Sequence, residues 1–164
     1  MSANSFNSLT FSLLLTRPSA KTMVESRSAL ERDIFELIMQ DDEKLQEALE
    51  KLKENLAHHK ELIKAGASAE ALAENDMDFH KILSANCGNT LLQMVYDYVM
   101  DAFRYNIIAT TANQKVYEDV TTVYDHTTII KALENRSFSD AKQIAQITAD
   151  SWYRLLQDEG DDKE

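Results

Sequence analysis

Asp76 and His80 are the residues whose types and spacing most clearly allow chemistry. They lie in the stretch Asp76-Met77-Asp78-Phe79-His80. At about 3.6 residues per turn, a helix places Asp76 and His80 one turn apart on one face, whereas Asp78 points away. Apolar residues at helical spacing flank the pair, including Leu72 and Leu83. We therefore expect a carboxylate and an imidazole together at the wall of a helical core.

A second histidine, His126, also falls on an apolar helix face, between Val123 and Ile130. Imidazole and carboxylate groups from neighbouring helices form divalent-metal sites in helical bundles. A buried histidine that is hydrogen-bonded to an aspartate explains the same pattern, so spacing alone leaves both interpretations open.

No established catalytic motif is present in the sequence. The chain has no Gly-rich phosphate loop, no HExxH, no GxSxG and no paired Glu-x-x-His motifs of the di-iron proteins. A metal-dependent hydrolase remains a third alternative, but no general base stands out beside the candidate ligands. The expectation is that the protein is not an enzyme.

Composition predicts a single all-α domain. The 164 residues are enough to bury a full core. The chain has only three glycines and one proline, too few turn-forming residues for a fold made of strands and hairpins. The net charge of −11 argues against direct binding to nucleic acid or an anionic membrane. One cysteine, Cys87, and the lack of a signal peptide or a long apolar run predict a cytoplasmic protein.

Apolar periodicity and capping residues predict the order of the helices. The long helix from about 90 is expected to be central and covered on several sides, with a polar loop at 110–114 after it. The last seven residues, 158–164, read as an acidic disordered tail. The predicted helices span 5–15, 19–39, 42–65, 68–86, 90–109, about 116–133 and 137–157.

Several polar residues on these helices have a surface interpretation. Arg27 and Glu31 are one turn apart, and as an exposed pair they would contribute only about 0.3–0.5 kcal/mol. His58 and His59, near a helix end, are interpreted as a solvated face. Arg104, in an otherwise apolar helix, is either a surface arginine with a buried stem or a ligand contact.

Four short motifs in this order resemble the C-terminal effector-binding domain of FadR-type GntR transcription regulators, over most of residues 6–157. Each motif is weak alone, and their order on a helical chain of this size is what makes the resemblance specific. They are Glu25-Ser26-Arg27-Ser28-Ala29-Leu30-Glu31 (E-x-R-x-x-L-E), Asp76-Met77-Asp78-Phe79-His80 (D-x-x-F-H), Ala85-Asn86-Cys87-Gly88-Asn89-Thr90-Leu91-Leu92 (A-x-x-x-N-x-x-L) and Asp125-His126-Thr127-Thr128-Ile129 (E/D-H-x-x-I).

The resemblance implies a six- or seven-helix antiparallel bundle around a central ligand cavity; the helix at 5–15 favours seven. In many members an aspartate and three histidines hold a zinc-like or nickel-like divalent ion. Asp76, His80 and His126 match three of these ligands, whereas Thr148 occupies the position of the fourth. A neutral hydroxyl is a poor ligand for such ions, so water or effector would complete the coordination, or the site would be metal-free.

The resemblance also implies a sensing function. A small organic acid would bind at the metal, with Arg27 clamping a carboxylate and Arg104 and Thr148 as further effector contacts. Because the histidines must be neutral to ligate, metal affinity is expected to fall below about pH 6.5. The domain would act in a homodimer and reach DNA only through a winged-helix domain, which is absent from this chain. Such a chain is either part of a longer regulator or a sensor that lacks the DNA-binding part.

The alternative from another class is a metal-free structural or dimerisation domain. In that hypothesis Asp76, His80 and His126 form a polar cluster that satisfies its own hydrogen bonds.

Overall fold

Six α-helices form the part of the chain that the structure describes. The computed structural model describes the backbone of residues 19–113 and 118–158, and their side chains except at 20, 102, 103, 105–113, 118–121, 148 and 150–158. No strand occurs in these ranges, so the all-α prediction is confirmed. The helices are α1 (Ala20–Met39), α2 (Asp42–Lys64), α3 (Ala69–Ala85), α4 (Thr90–Asn113), α5 (Glu118–Glu134) and α6 (Phe138–Asp158).

Three of the predicted helix starts are confirmed by their caps. Ser19, Asp41 and Ser68 each accept a hydrogen bond from a backbone N–H of the first turn that follows. After α2, Gly66 has a φ of 65°, a left-handed conformation that glycine adopts without a steric penalty.

The predicted loop at 110–114 is wrong for residues 110–113, which continue α4 to Asn113. This polar stretch contains no glycine or proline, and polarity alone does not end a helix. Gln114, the predicted helix at 5–15 and residues 159–164 of the predicted tail lie outside the described residues.

α4 is not the central helix that the sequence suggested. α1 packs against α2, α3, α4 and α6, and α3 packs against α1, α2 and α4. α5 contacts α2 and α6. None of the described helices combines the length and apolar character needed to cross a membrane. The largest fully buried side chains are Tyr96, Phe35, Phe79, Ile34, Ile38, Leu45, Leu52, Met77, Leu83 and Met100.

The expectation that α4 is covered on several sides is wrong for its first half. Leu91 is 71% exposed, Met94 59% and Val95 37%, whereas Tyr96 and Met100 are fully buried. The reason is that α4 packs mainly on α3 and α1, which cover one face of it.

Candidate metal and effector site

α3 and α5 bring the three candidate ligands together. One ligand atom each from Asp76, His80 and His126 lies within 4.8 Å of the others. Asp76 Oδ1 is 3.0 Å from His126 Nε2 and 3.9 Å from His80 Nε2. Both histidines are buried, and Asp76 is nearly so. Asp78 is exposed, as the helix geometry predicted.

α1 adds a buried ion pair to this cluster. Arg27 Nε donates to Glu31 Oε1 over 2.9 Å, and Arg27 Nη2 lies 2.9 Å from His80 Nε2. Arg27 and Glu31 are each 3% exposed, so the surface interpretation of this pair is wrong. The two residues lie on the same buried face of α1 as Ile34 and Ile38. The helical spacing of these four positions could have indicated this burial from the sequence.

Glu31 is the anion that organises one half of the cluster, and sequence reasoning missed this role. Its Oε1 accepts a 2.6 Å hydrogen bond from the hydroxyl of Tyr96 on α4 and lies 3.1 Å from His80 Nδ1. Burial alone would raise the pKa of Glu31, but Arg27, His80 and Tyr96 together hold it below its usual range. Glu31 is therefore ionised at neutral pH.

Opposing effects also set the protonation of Asp76 and His126. Burial would raise the pKa of Asp76, but the hydrogen bond from His126 and the nearby positive charges lower it. Burial lowers the pKa of His126 to about 4, against the opposing effect of Asp76. At neutral pH a neutral imidazole therefore donates from Nε2 to an ionised carboxylate. Next to them, burial and the charge of Asp76 raise the pKa of Asp125 to about 6.

The cluster is suited to a cation by its charge and its donor atoms. Arg27, Glu31 and Asp76 carry formal charges that sum to −1 inside the bundle. One carboxylate and two imidazoles are donors that zinc and nickel accept. The burial of these groups strengthens their attraction for an ion, because the protein interior screens charge less than water does.

His59 of α2 also reaches this region, contrary to the interpretation of His58 and His59 as a solvated face. His58 is exposed, but His59 is 2% exposed, and its Nδ1 lies 2.8 Å from Asn75 Oδ1. Its ring centroid is 6.1 Å from that of His126. Position 59 continues the buried spacing of Leu52 and Leu56, a signal that could have identified it.

Aromatic packing fixes the plane of His126. The ring of Phe79 stacks on it with a centroid distance of 3.6 Å and an interplanar angle of 3°. This contact covers one face of the His126 ring, while Nε2 at the ring edge reaches Asp76.

The other two predicted effector contacts are placed differently. Arg104 lies on α4, and its side chain is 53% exposed and forms an ion pair with Glu74. Among the described residues, no contact joins Arg104 to the candidate ligands. Thr148 lies in α6, but its side chain is outside the described residues.

Two grooves with volumes of about 560 and 340 Å³ lie at the surface between α2 and α3 and between α1 and α6. Neither groove is lined by Asp76, His80 or His126.

Comparison with known proteins assigns the family. The FCD domain family matches residues 22–149, most of the chain and all of the cluster. Neither the curated proteins nor the solved structures that were compared contain a match. FCD domains are the C-terminal effector-binding domains of GntR-family regulators, so the predicted family is confirmed, although the FadR subfamily is not specified by the match. The chain belongs to the FCD domain family and is an effector-binding domain of a GntR-family transcription regulator.

Proposed function

We propose that this domain senses a small carboxylate metabolite at a divalent metal ion held by Asp76, His80 and His126. The observation that carries the proposal is the convergence of three donor groups within 4.8 Å, buried beside a net negative charge. Zinc and nickel are the ions that suit this donor set best. When bound, the ion would supply a Lewis-acidic centre with coordination positions open to an anionic oxygen.

Arg27 on α1 is the residue that we propose contacts the effector. Arg27 occupies His80 Nε2 in this structure, so it must move off that atom before His80 can bind an ion. In the effector-bound arrangement, Glu31 would keep the guanidinium close by through Nε while Nη2 turns from His80 to the carboxylate. Arg27 thus changes partner from His80 to the effector.

This change of partner provides two arrangements of the cluster. In one, Arg27 bonds His80; in the other, His80 binds an ion and Arg27 pairs with the effector. A ligand that binds the second arrangement more tightly shifts the population toward it. We propose that the protein acts as a homodimer in which α1 transmits the difference between the two arrangements to a separate DNA-binding domain. Arg104 and Thr148 would then make only secondary contacts with the effector.

The test of the metal is elemental analysis of the purified protein, followed by thermal unfolding with chelator, Zn²⁺ or Ni²⁺. At about 100 times its Kd, a ligand of the native state adds about 2.7 kcal/mol, which is roughly 5–11 °C in Tm for a chain of this size. Asp76→Asn should abolish this shift. The matched control Asp78→Asn removes the same charge from the exposed face of α3 and should keep it.

The test of the effector is a screen of small mono- and dicarboxylic acids on the metal-loaded protein. We expect a stabilising acid that acts only with metal present and that binds more weakly to Arg27→Lys, which keeps the charge but loses the paired guanidinium donors. If wild-type protein binds no metal and no acid changes its Tm, the metal-free structural domain becomes the better description.

A further inference from the structure

His59 of α2 lies next to the candidate ligand His126, and the proposed function does not explain its position. His59 Nε2 and His126 Nδ1 are both fully buried, and neither has a hydrogen-bond partner among the described residues. The two rings meet edge to face, with centroids 6.1 Å apart and planes inclined at 64°. Buried polar atoms are nearly always paired in proteins, so this pair of atoms requires an explanation.

The protonation of His59 follows from its neighbours. Its Nδ1 lies 2.8 Å from Asn75 Oδ1, which can only accept, so Nδ1 carries the proton and Nε2 carries a lone pair. The side chain of Asn55 on α2 donates from Nδ2 to the backbone carbonyl of Asn75 on α3 over 3.2 Å, which ties the two helices together next to His59. His59 is therefore a fixed, buried acceptor that points away from Asn75.

The protonation of His126 depends on what its Nε2 binds. In this structure Nε2 is 3.0 Å from the carboxylate of Asp76, which only accepts, so Nε2 carries the proton. An imidazole that ligates a metal through Nε2 must carry its proton on Nδ1, and that N–H needs an acceptor. The N–H bond at Nε2 breaks and one at Nδ1 forms, so the ring stays neutral.

We propose that His59 is a positioning residue whose Nε2 accepts, through one bridging water, the hydrogen bond from Nδ1–H of His126 when Nε2 of His126 binds the metal. The inference rests on the proposed metal site. It assigns the orientation of a ligand on α5 to His59 of α2, which Asn75 of α3 holds in place. Outer partners of this kind commonly change metal affinity about 10- to 100-fold.

The variants His59→Phe, His59→Gln and His58→Phe test the proposal through the Zn²⁺ Kd, measured by competition with a chromogenic chelator. His59→Phe keeps a ring but removes the acceptor, and we expect a Kd about 10- to 100-fold weaker. His59→Gln offers an amide oxygen as acceptor and should recover part of the loss. His58→Phe, at the exposed neighbouring position, should bind like wild type.

Nitrogen NMR of the imidazoles in wild-type protein gives a readout that needs no variant to fold. Without metal we expect His126 to carry its proton on Nε2, and with Zn²⁺ on Nδ1, while His59 stays protonated on Nδ1 in both states. A His59 found protonated on Nε2 has no lone pair to offer and overturns the proposal. An unchanged Zn²⁺ Kd in folded His59→Phe overturns it as well.

Failure of this inference is distinguishable from failure of the proposed function. If wild-type protein binds neither Zn²⁺ nor Ni²⁺, the metal site itself is wrong and the role of His59 falls with it. If wild type binds Zn²⁺ and loses it in Asp76→Asn but not in His59→Phe, the metal site stands and only the positioning role is overturned.

Discussion

The Arg27–Glu31 pair allows a direct test of how the cluster is stabilised. Both side chains are about 4% exposed and joined over 2.9 Å, whereas the Lys51–Glu47 pair has the same i,i+4 relation, a distance of 2.6 Å and side chains about half exposed. Removing one partner of a buried pair leaves an uncompensated charge and costs about 3–5 kcal/mol. Breaking an exposed pair costs about 0.3–0.5 kcal/mol.

We therefore expect Arg27→Met to lower the free energy of unfolding by about 3–5 kcal/mol, or roughly 6–20 °C in Tm at this chain length. The control Glu47→Gln should change it by no more than about 0.5 kcal/mol. Urea unfolding of metal-free protein at pH 7, followed by circular dichroism, measures both values.

The double variant Arg27→Met/Glu31→Gln separates the ion pair from simple loss of packing. It removes both buried charges of the pair, while the glutamine side chain at position 31 keeps an oxygen that can accept the hydrogen bond from Tyr96. Its destabilisation should be smaller than the sum of the two single changes by at least about 1 kcal/mol. A cost below about 1 kcal/mol for Arg27→Met, or strict additivity in the double variant, would refute the reasoning.

Other predictions follow from the same contacts. The unfolded chain protonates His126 near its ordinary pKa of 6.5, whereas burial lowers the pKa in the folded chain to about 4. Metal-free protein should therefore lose about 3 kcal/mol of stability as pH falls from 6.5 to 4. Urea midpoints measure this loss, and His126→Gln should make stability depend less on pH. Tyr96→Phe removes a donor to an ionised carboxylate and should cost about 1.5–3 kcal/mol by urea unfolding. Arg104→Gln should change stability by less than about 1 kcal/mol, because its ion pair is half exposed; a large loss would place Arg104 in the packed interior.

The role proposed for Arg27 links stability to sensing. The guanidinium contacts both Glu31 and His80, so an effector that draws it away from His80 changes a contact between α1 and α3. A ligand-induced change at this contact acts on the first helix of the matched domain. Coupling of this kind requires only that the ligand prefer one of the two arrangements.

Helical periodicity and end signals in the sequence determined most of the fold. Ser19, Asp41 and Ser68 predicted helix starts because a side-chain oxygen satisfies an otherwise unpaired backbone N–H. Asp76 and His80 were predicted to share a face because residues four apart lie one turn above each other. These properties are local, since each depends on residues within one or two turns.

Which helix faces meet depends on how the helices pack against one another. The packing of α2 against α3 and α5 buries His59 beside Asn75 and His126, and the packing of α4 on α1 brings Tyr96 to Glu31. Periodicity shows that a face is buried, but it does not show what covers that face or which polar groups it brings together. The pairing of Arg27 with Glu31 was visible as spacing, but its burial, which sets its energy and its part in the site, is a property of the assembled bundle.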